Sequence, residues 1–510
     1  MNLAIVHYHL NRGGVTRVIE NQLAALDAVL DLARPWNVAV LCGGRRRGWD
    51  EELAGRLRAV RLSVVEVPLL DYDDARGDAR RHSPADLLME LYAALGQLDF
   101  DPQQTVLHFH NHSLGKNRAL PQVVPVLAED GYAVLLQIHD FAEDFRSENY
   151  RCLAAPAEIY PQSASIHYAA LNGRDHGVLS EAGIAPDRLH LLPNPVPPPA
   201  GLPSKPNARR RLKDLFGVAA EDHFVLYPVR CIRRKNIGEA LLHSALAPPG
   251  TVVGLTLAPL SPAELAIYEH WKALAAELRL PCLFELGESG ALDFAENLAG
   301  CDLMLTTSLA EGFGMVFLES WLAGRPLIGR DLPAVTRDFA KLGIHLRSLW
   351  PRLSVPSKWI DIDAFRQLVL DTFRRTLEAY GRSEQNDLSG QLAAKTADGF
   401  VDFGDLDETL QEQVIRRVWQ SEDDRRHLIL SNRFLEDRLS MRADDDAETI
   451  QRNARTIERH FSPVPSGRRL LELYERVVAS ARDDAVQPVP HGERILDRFL
   501  DLGRFRLIRS

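Results

Sequence analysis

Short apolar runs alternate with helix-period segments through the first two thirds of this chain, and that alternation limits what it can fold into. Strands of this length, separated by helices, mark βαβ units on a parallel sheet. In the first block the strand candidates are Leu3–Tyr8, Val38–Cys42, Ser63–Leu69, Thr105–His110, Ala133–Ile138, Ile166–Leu171 and Leu189–Leu192. Helix-like segments intervene at Thr16–Leu30, Ala85–Leu98 and Asn117–Ala128. The stretch Pro193 to Pro206 then interrupts the pattern with prolines at 193, 195, 197, 198, 199, 203 and 206. Such a run sustains neither a helix nor a central strand and reads as an extended, semi-rigid linker.

A second alternating block follows. Its strands are Phe224–Pro228, Val252–Leu257, Cys282–Leu286, Leu303–Thr307 and Leu327–Ile328, and its helices include Asn236–Ala245, Pro262–Leu278 and Leu292–Leu298. The expected fold class is therefore α/β, with two doubly wound, Rossmann-like domains facing across a cleft and ligands at the carboxyl ends of the strands. Beyond about Asp331 helical segments dominate, at Ile362–Tyr380, Leu406–Trp419, Asp445–His460, Arg468–Ala479 and Glu493–Leu500, with Gly381 to Gly404 read as loop. The expected division is an N-terminal domain over 1–195, a hinge over 196–206 and a second domain over 207–465 with a helical insertion at about 335–460. The helices of 466–510 are expected to pack back toward the N-terminal domain.

Length agrees, since 510 residues exceed one ordinary core. The formal net charge of −10 points away from broad nucleic-acid binding. The basic run Arg209-Arg210-Arg211 reads as a solvated helix start. Five scattered cysteines with no C-x-x-C pair fit a reducing cytosol without a disulfide framework or zinc site. No apolar run approaches the roughly 18 to 20 residues of a spanning helix, so a cytoplasmic protein is expected, with peripheral membrane contact left open.

The segment E-G-F-G-M-V-F-L-E, Glu311 to Glu319, is the richest in chemistry. It follows a strand and enters a helix, whose first turn offers N–H groups to an anion. Two carboxylates flank the glycines, and carboxylates accept paired hydrogen bonds from vicinal hydroxyls. The arrangement suits a phosphorylated, polyhydroxylated ligand such as a nucleotide sugar. The run V-R-C-I-R-R-K-N places Arg230 and Lys235 in a strand-to-helix loop, where two cations neutralise a diphosphate and stabilise it as a leaving group. Taken alone, the Arg230–Lys235 loop also reads as a plain surface loop, and its pairing with the Glu311–Glu319 segment on the same sheet favours the anion site. Gly13 and Gly14 follow the first strand, after Arg12, without forming a G-x-G-x-x-G. His139 and Asp140 end a strand, where the histidine can donate to a sugar hydroxyl or carbonyl or serve as a structural cap. His108, His110 and His112 alternate along a strand, and the favoured reading places His110 and Asn111 at the mouth of a cleft, ahead of a metal site. The Asp71–Asp74 and Asp361–Asp363 clusters are weak metal candidates, and no metal is expected.

Together these segments resemble the retaining glycosyltransferases of family 4, which have the GT-B fold. The resemblance rests on E-G-F-G-M-V-F-L-E with the trailing S-W-L-A-G-R-P-L-I, on V-R-C-I-R-R-K-N, on I-V-H-Y-H-L-N-R-G-G-V, on I-H-D-F and on L-P-N-P-V. It covers roughly residues 1 to 330, with F-S-P-V-P-S-G-R-R-L-L-E-L-Y-E similar to that family's closing helix. It implies transfer of a hexose from a nucleotide-diphosphate sugar to an acceptor hydroxyl, without a metal or other cofactor. It implies that Arg230 and Lys235 hold the diphosphate, that Glu311 contacts sugar hydroxyls and that Glu319 contacts the ribose. It further implies donor contacts at Gly14, Gly312, Phe313, Gly314 and Met315, and His139 near the reacting carbon. His110, Asn111 and Arg12 are the acceptor-side candidates, for a sugar, a small hydroxy compound or a lipid-linked glycan. After Ile328 the chain reads G-R-D-L-P-A-V-T-R-D-F where the family shows a Gly-Gly-x-x-Glu turn. A sugar-nucleotide epimerase, a phosphorylase and a non-catalytic nucleotide-sugar binder stay open as alternatives.

Overall fold

The fold was obtained as a computed structural model that describes residues 1–74, 83–153, 158–288, 290–383, 388–482 and 484–509. Two parallel sheets organise it. The first carries β1 (Asn2–Val6), β2 (Trp36–Cys42), β3 (Val60–Glu66), β4 (Thr105–His110), β5 (Ala133–Ile138), β6 (Ile166–Ala170) and β7 (Leu189–Leu191), in the order β3-β2-β1-β4-β5-β6-β7. The second carries β8 (His223–Arg230), β9 (Thr251–Leu257), β10 (Cys282–Leu283), β11 (Leu303–Thr306), β12 (Leu327–Arg330) and β13 (Leu349–Trp350), in the order β10-β9-β8-β11-β12-β13. Both are doubly wound. The strand order reverses between β1 and β4 in one and between β8 and β11 in the other, and such switch points are where open α/β sheets bind ligands.

The chain divides into two compact units. One holds Met1–Pro197, Leu377–Arg382 and Arg459–Asp501, and the other Pro198–Thr376, Ser383–Glu458 and the tail from Leu502. In the first unit the central strands β1, β4, β5 and β6 are buried on both faces, as a helix-covered parallel sheet requires, while the edge strand β3 is only half-buried. Part of that cover comes from the closing helix Pro463–Ser480, whose Leu470, Leu473, Tyr474 and Val477 join Ile19, Leu23 and Leu26 of the helix Gly14–Asp27 in one core. The two helices pack closely, because a Cβ on Gly467 would fall 1.9 Å from the Ala25 carbonyl oxygen.

Several expectations need correction. The Pro-rich segment ends earlier than its composition suggested, because Ser204 caps a helix, Lys205–Phe216, that tolerates Pro206 in its first turn. Arg209 in that helix is not a solvated cation. It is 8% exposed, pairs with Asp302 and donates to the Asp222 carbonyl at 3.0 Å. The stretch 381–404 is not all loop. It forms the helix Leu388–Lys395 and the strand Phe400–Asp402, which pairs antiparallel with Ser354–Pro356; residues 384–387 lie outside the described residues. The strand expected over Cys282–Leu286 stops at Leu283, and Glu285 turns the chain at φ +65°.

Candidate functional site

Each sheet gathers its candidate residues at the carboxyl ends of its central strands. In the second unit, β8 and β11 lie side by side. Arg230 ends β8 and donates from Nη1 to the Ala258 carbonyl at 2.8 Å, on the loop after β9. The chain then forms a short turn over Arg233–Lys235 and enters the helix Ile237–Leu246 through Asn236, in left-handed geometry. The loop after β11 closes against it. Leu309 N–H donates to the Arg234 carbonyl at 2.9 Å, Thr307 Oγ1 to the Lys235 carbonyl at 2.8 Å, and Tyr227 Oη to that same carbonyl at 2.9 Å.

This knitting brings Glu311 to two cations. Lys235 Nζ pairs with Glu311 Oε1, and Arg234 Nη1 lies 3.1 Å from Oε2 and 2.7 Å from the Ala310 carbonyl. Burial alone would push the Glu311 carboxyl up, but Lys235 and Arg234 outweigh it and hold it at about 2. The result is a buried carboxylate with two cations at the switch point of the sheet. Arg234 was missed in the sequence, although the R-R-K run was the signal for it.

Glu319 lies in the first turn of the helix Val316–Leu322, half-buried. Gly314 is required where it stands, since φ is +75° and a Cβ would meet Phe317 Cδ2 at 2.6 Å. Gly312 and Met315 are half-buried beside it. The Phe313 side chain is 5% exposed and packs edge-on against Phe339, so it anchors the loop from the core side.

In the first unit, Gly13 and Gly14 open the helix after β1 on an exposed stretch, and Arg12 is exposed with them. A Cβ on Gly14 would meet nothing within 4 Å, so nothing in the fold itself calls for glycine there. His139 follows β5 and is 6% exposed. Its backbone N–H and that of Asp140 donate to Asn111 Oδ1, at 2.6 and 3.0 Å. Its Nε2 lies 2.8 Å from His110 Nδ1, and the two rings stack. Burial pushes the His139 imidazole down to about 4, with Asp140 opposing, so the ring is neutral at pH 7.

His110 and Asn111 are therefore not exposed at a mouth. They are 0% and 2% exposed and hold His139 from behind. His108 and His110 share a strand face, with ring centroids 4.3 Å apart, and His108 Nδ1 lies 2.9 Å from Tyr474 Oη. His112 lies beyond the strand, against Tyr160, with its Nε2 2.9 Å from the Ile159 carbonyl. Among the described residues no group of three or more His, Cys, Asp or Glu could hold a metal. Asp71 is engaged by Arg45, and Asp361 caps a helix through Ala364 N–H at 3.0 Å. No helix among the described residues is long and apolar enough to cross a membrane.

No family model matches the chain. It is similar to a mannosylglucosyl-3-phosphoglycerate synthase from Petrotoga mobilis, 26% identical over 425 residues that span 81% of this chain and 80% of the relative. It also resembles the crystal structure of HepE from Anabaena in complex with UDP-glucose, with a TM-score of 0.54 and 12% identity across 93% of this chain and 99% of that one. A third likeness is sucrose-phosphate synthase from Thermosynechococcus elongatus, with a TM-score of 0.55 and 14% identity across 94% of this chain and 100% of that one. The chain has the fold of these GT-B glycosyltransferases.

Proposed function

We propose that this chain is a retaining glycosyltransferase that moves a hexose from a nucleotide-diphosphate sugar to an acceptor hydroxyl without a metal ion. The observation that carries the reading is the junction of Lys235, Arg234 and Glu311 at the switch point of the second sheet. A diphosphate there meets fixed cations at low dielectric, where stabilising the leaving group is worth most. Glu311 stays ionised and is suited to accept hydrogen bonds from sugar hydroxyls. Glu319 and the backbone around Gly312 to Met315 complete the donor side in this reading. His139, neutral and steadied by His110 and Asn111, presents Nδ1 as the ring nitrogen His110 does not use. Catalysis is then positioning and charge stabilisation, with the departing diphosphate receiving the acceptor's proton on the same face.

The names of the similar proteins support a sugar donor and direct the first experiments. A UDP-glucose complex among the structural likenesses puts UDP-glucose first among donors, beside GDP- and ADP-sugars. A glycosylated phosphoglycerate is the first acceptor to try, from the name of the Petrotoga mobilis relative. We place the protein in the cytoplasm. A thermal-shift screen identifies the donor, because a ligand that binds only the folded state stabilises by mass action. Product analysis then decides the class. A new glycosidic bond with the donor's anomeric configuration supports the proposal. An isomerised nucleotide sugar, a free sugar phosphate, or binding without turnover would replace it with an epimerase, a phosphorylase or a binding protein.

A further inference from the structure

The proposed chemistry makes no use of residues 335–460, yet a helix from that region, Glu408–Gln420, grips the cation loop on both sides of Lys235. On one side, Arg233 donates from Nε to Glu408 Oε1 at 2.7 Å and from Nη2 to Oε2 at 3.3 Å. On the other, Gln411 Nε2 donates to Asn236 Oδ1 at 2.9 Å and to the Phe403 carbonyl at 3.1 Å. Asn236 has φ +53° and ψ +58°, a left-handed conformation that asparagine tolerates better than other side-chain-bearing residues, and its amide is held on both sides by Gln411 and Glu239.

The grip continues inward. Asn236 Nδ2 donates to Glu239 Oε2 at 2.7 Å, and that oxygen also accepts from Arg330 Nε at 2.6 Å. Arg330 forks onto Asp402 at 2.9 and 2.7 Å. Asn236, Glu239 and Gln411 are each at most 1% exposed. Behind the loop lies a small open pocket of about 10 Å³, room for roughly one water, lined by Arg233, Asn236, Glu264, Tyr268, Trp271 and Gln411. The packing against Gln411 is close, since a Cβ on the neighbouring Gly238 would fall 2.2 Å from Gln411 Oε1 and 2.9 Å from Trp271.

We propose that Gln411 is a positioning residue for the donor's diphosphate. It locks Asn236 in its left-handed turn, and that turn sets where Lys235 and Arg234 meet Glu311. The inference rests on the reading of Lys235 as a diphosphate cation. It assigns the 408–420 helix a role in the site, although this helix lies outside every motif that carried the family resemblance.

The test uses the full chain and calorimetry with UDP, GDP and ADP and with their nucleosides. Gln411→Met keeps the volume and removes the amide. Asn236→Gly keeps the left-handed backbone and removes the side chain. Each variant is expected to weaken the bound nucleoside diphosphate about tenfold, or 1.4 kcal/mol, while the matching nucleoside binds as it does to wild type. The double variant is expected to be no weaker than the worse single, because the two residues act as a unit. A folded Gln411→Met that binds the diphosphate like wild type overturns the proposal, as does equal weakening of diphosphate and nucleoside. If Gln411→Met does not fold, Asn236→Gly alone decides by the same criteria. If wild type binds none of the three diphosphates, the donor reading itself falls and takes this inference with it.

Discussion

Replacing Lys235 by methionine tests the candidate site most directly, because the structure gives both its stability cost and its functional cost. The Glu311 carboxyl lies at about 2 in the folded chain against an ordinary 4.5, a displacement worth about 3 kcal/mol and shared between Lys235 and Arg234. Lys235 is the nearer partner, so its removal forfeits about 2 kcal/mol and leaves Arg234 facing that carboxylate. The sign with pH follows. A carboxyl held below its unfolded value adds stability above pH 4.5 that disappears as pH falls toward 2. The variant should therefore be less stable than wild type at pH 7, and the gap should narrow at acid pH. Urea unfolding at pH 7 and pH 4, followed by tryptophan fluorescence, measures this. For turnover, loss of one fixed group at a developing charge typically costs about 10² to 10³ in rate. With the donor identified by thermal shift, kcat/KM should fall by that factor while the variant stays folded. A folded Lys235→Met with kcat/KM within about threefold of wild type would refute the assignment of Lys235 to the diphosphate.

Gly14→Ala separates the needs of the fold from those of the ligand. Nothing crowds a Cβ there, and alanine is the better helix former, so thermal stability should hold or rise by up to about 1 kcal/mol. Turnover should drop at least tenfold; unchanged kcat/KM would remove Gly14 from the donor site. Asp302→Asn should destabilise the second unit by about 2 to 3 kcal/mol, because Lys205, Arg209 and the Phe224 N–H all converge on this carboxylate. Circular dichroism melts check this, and a loss below about 0.5 kcal/mol contradicts the buried network. Burial holds His7 and His108 at about 3 and His139 at about 4, against 6.5 when unfolded. The unfolded chain thus takes up more protons than the folded one, and stability should decline as pH falls from 6.5 toward 4. A flat unfolding midpoint across that window would contradict the buried neutral histidines.

Much of this was legible in the letters. The strands Thr105–His110 and Ala133–Ile138 and the helix Pro262–Leu278 fall where period and punctuation put them. Both sheets follow from the alternation itself. Lys235 and Glu311 were singled out, and the structure joins them. Other features were hidden by distance along the chain. Arg209 looked solvated because Asp302, its partner, lies 93 residues away. His110 and Asn111 looked like contact groups, because alternation along a strand reports a face and not what covers it. The helix Glu408–Gln420 could be seen as a helix, but nothing local linked Gln411 to Asn236, 175 positions earlier.

The sequence by itself determined the element order, the proline break and the two loops that carry the charged groups. Those depend on local dihedral preference and hydrophobic period, which each segment holds within itself. Only the tertiary structure decided that Arg234 stands with Lys235 at Glu311, that His139 rests on His110, and that Gln411 holds the turn at Asn236. Hydrogen-bond and ion-pair partners are selected by which loops the winding of a sheet brings together, and that is a property of the whole chain.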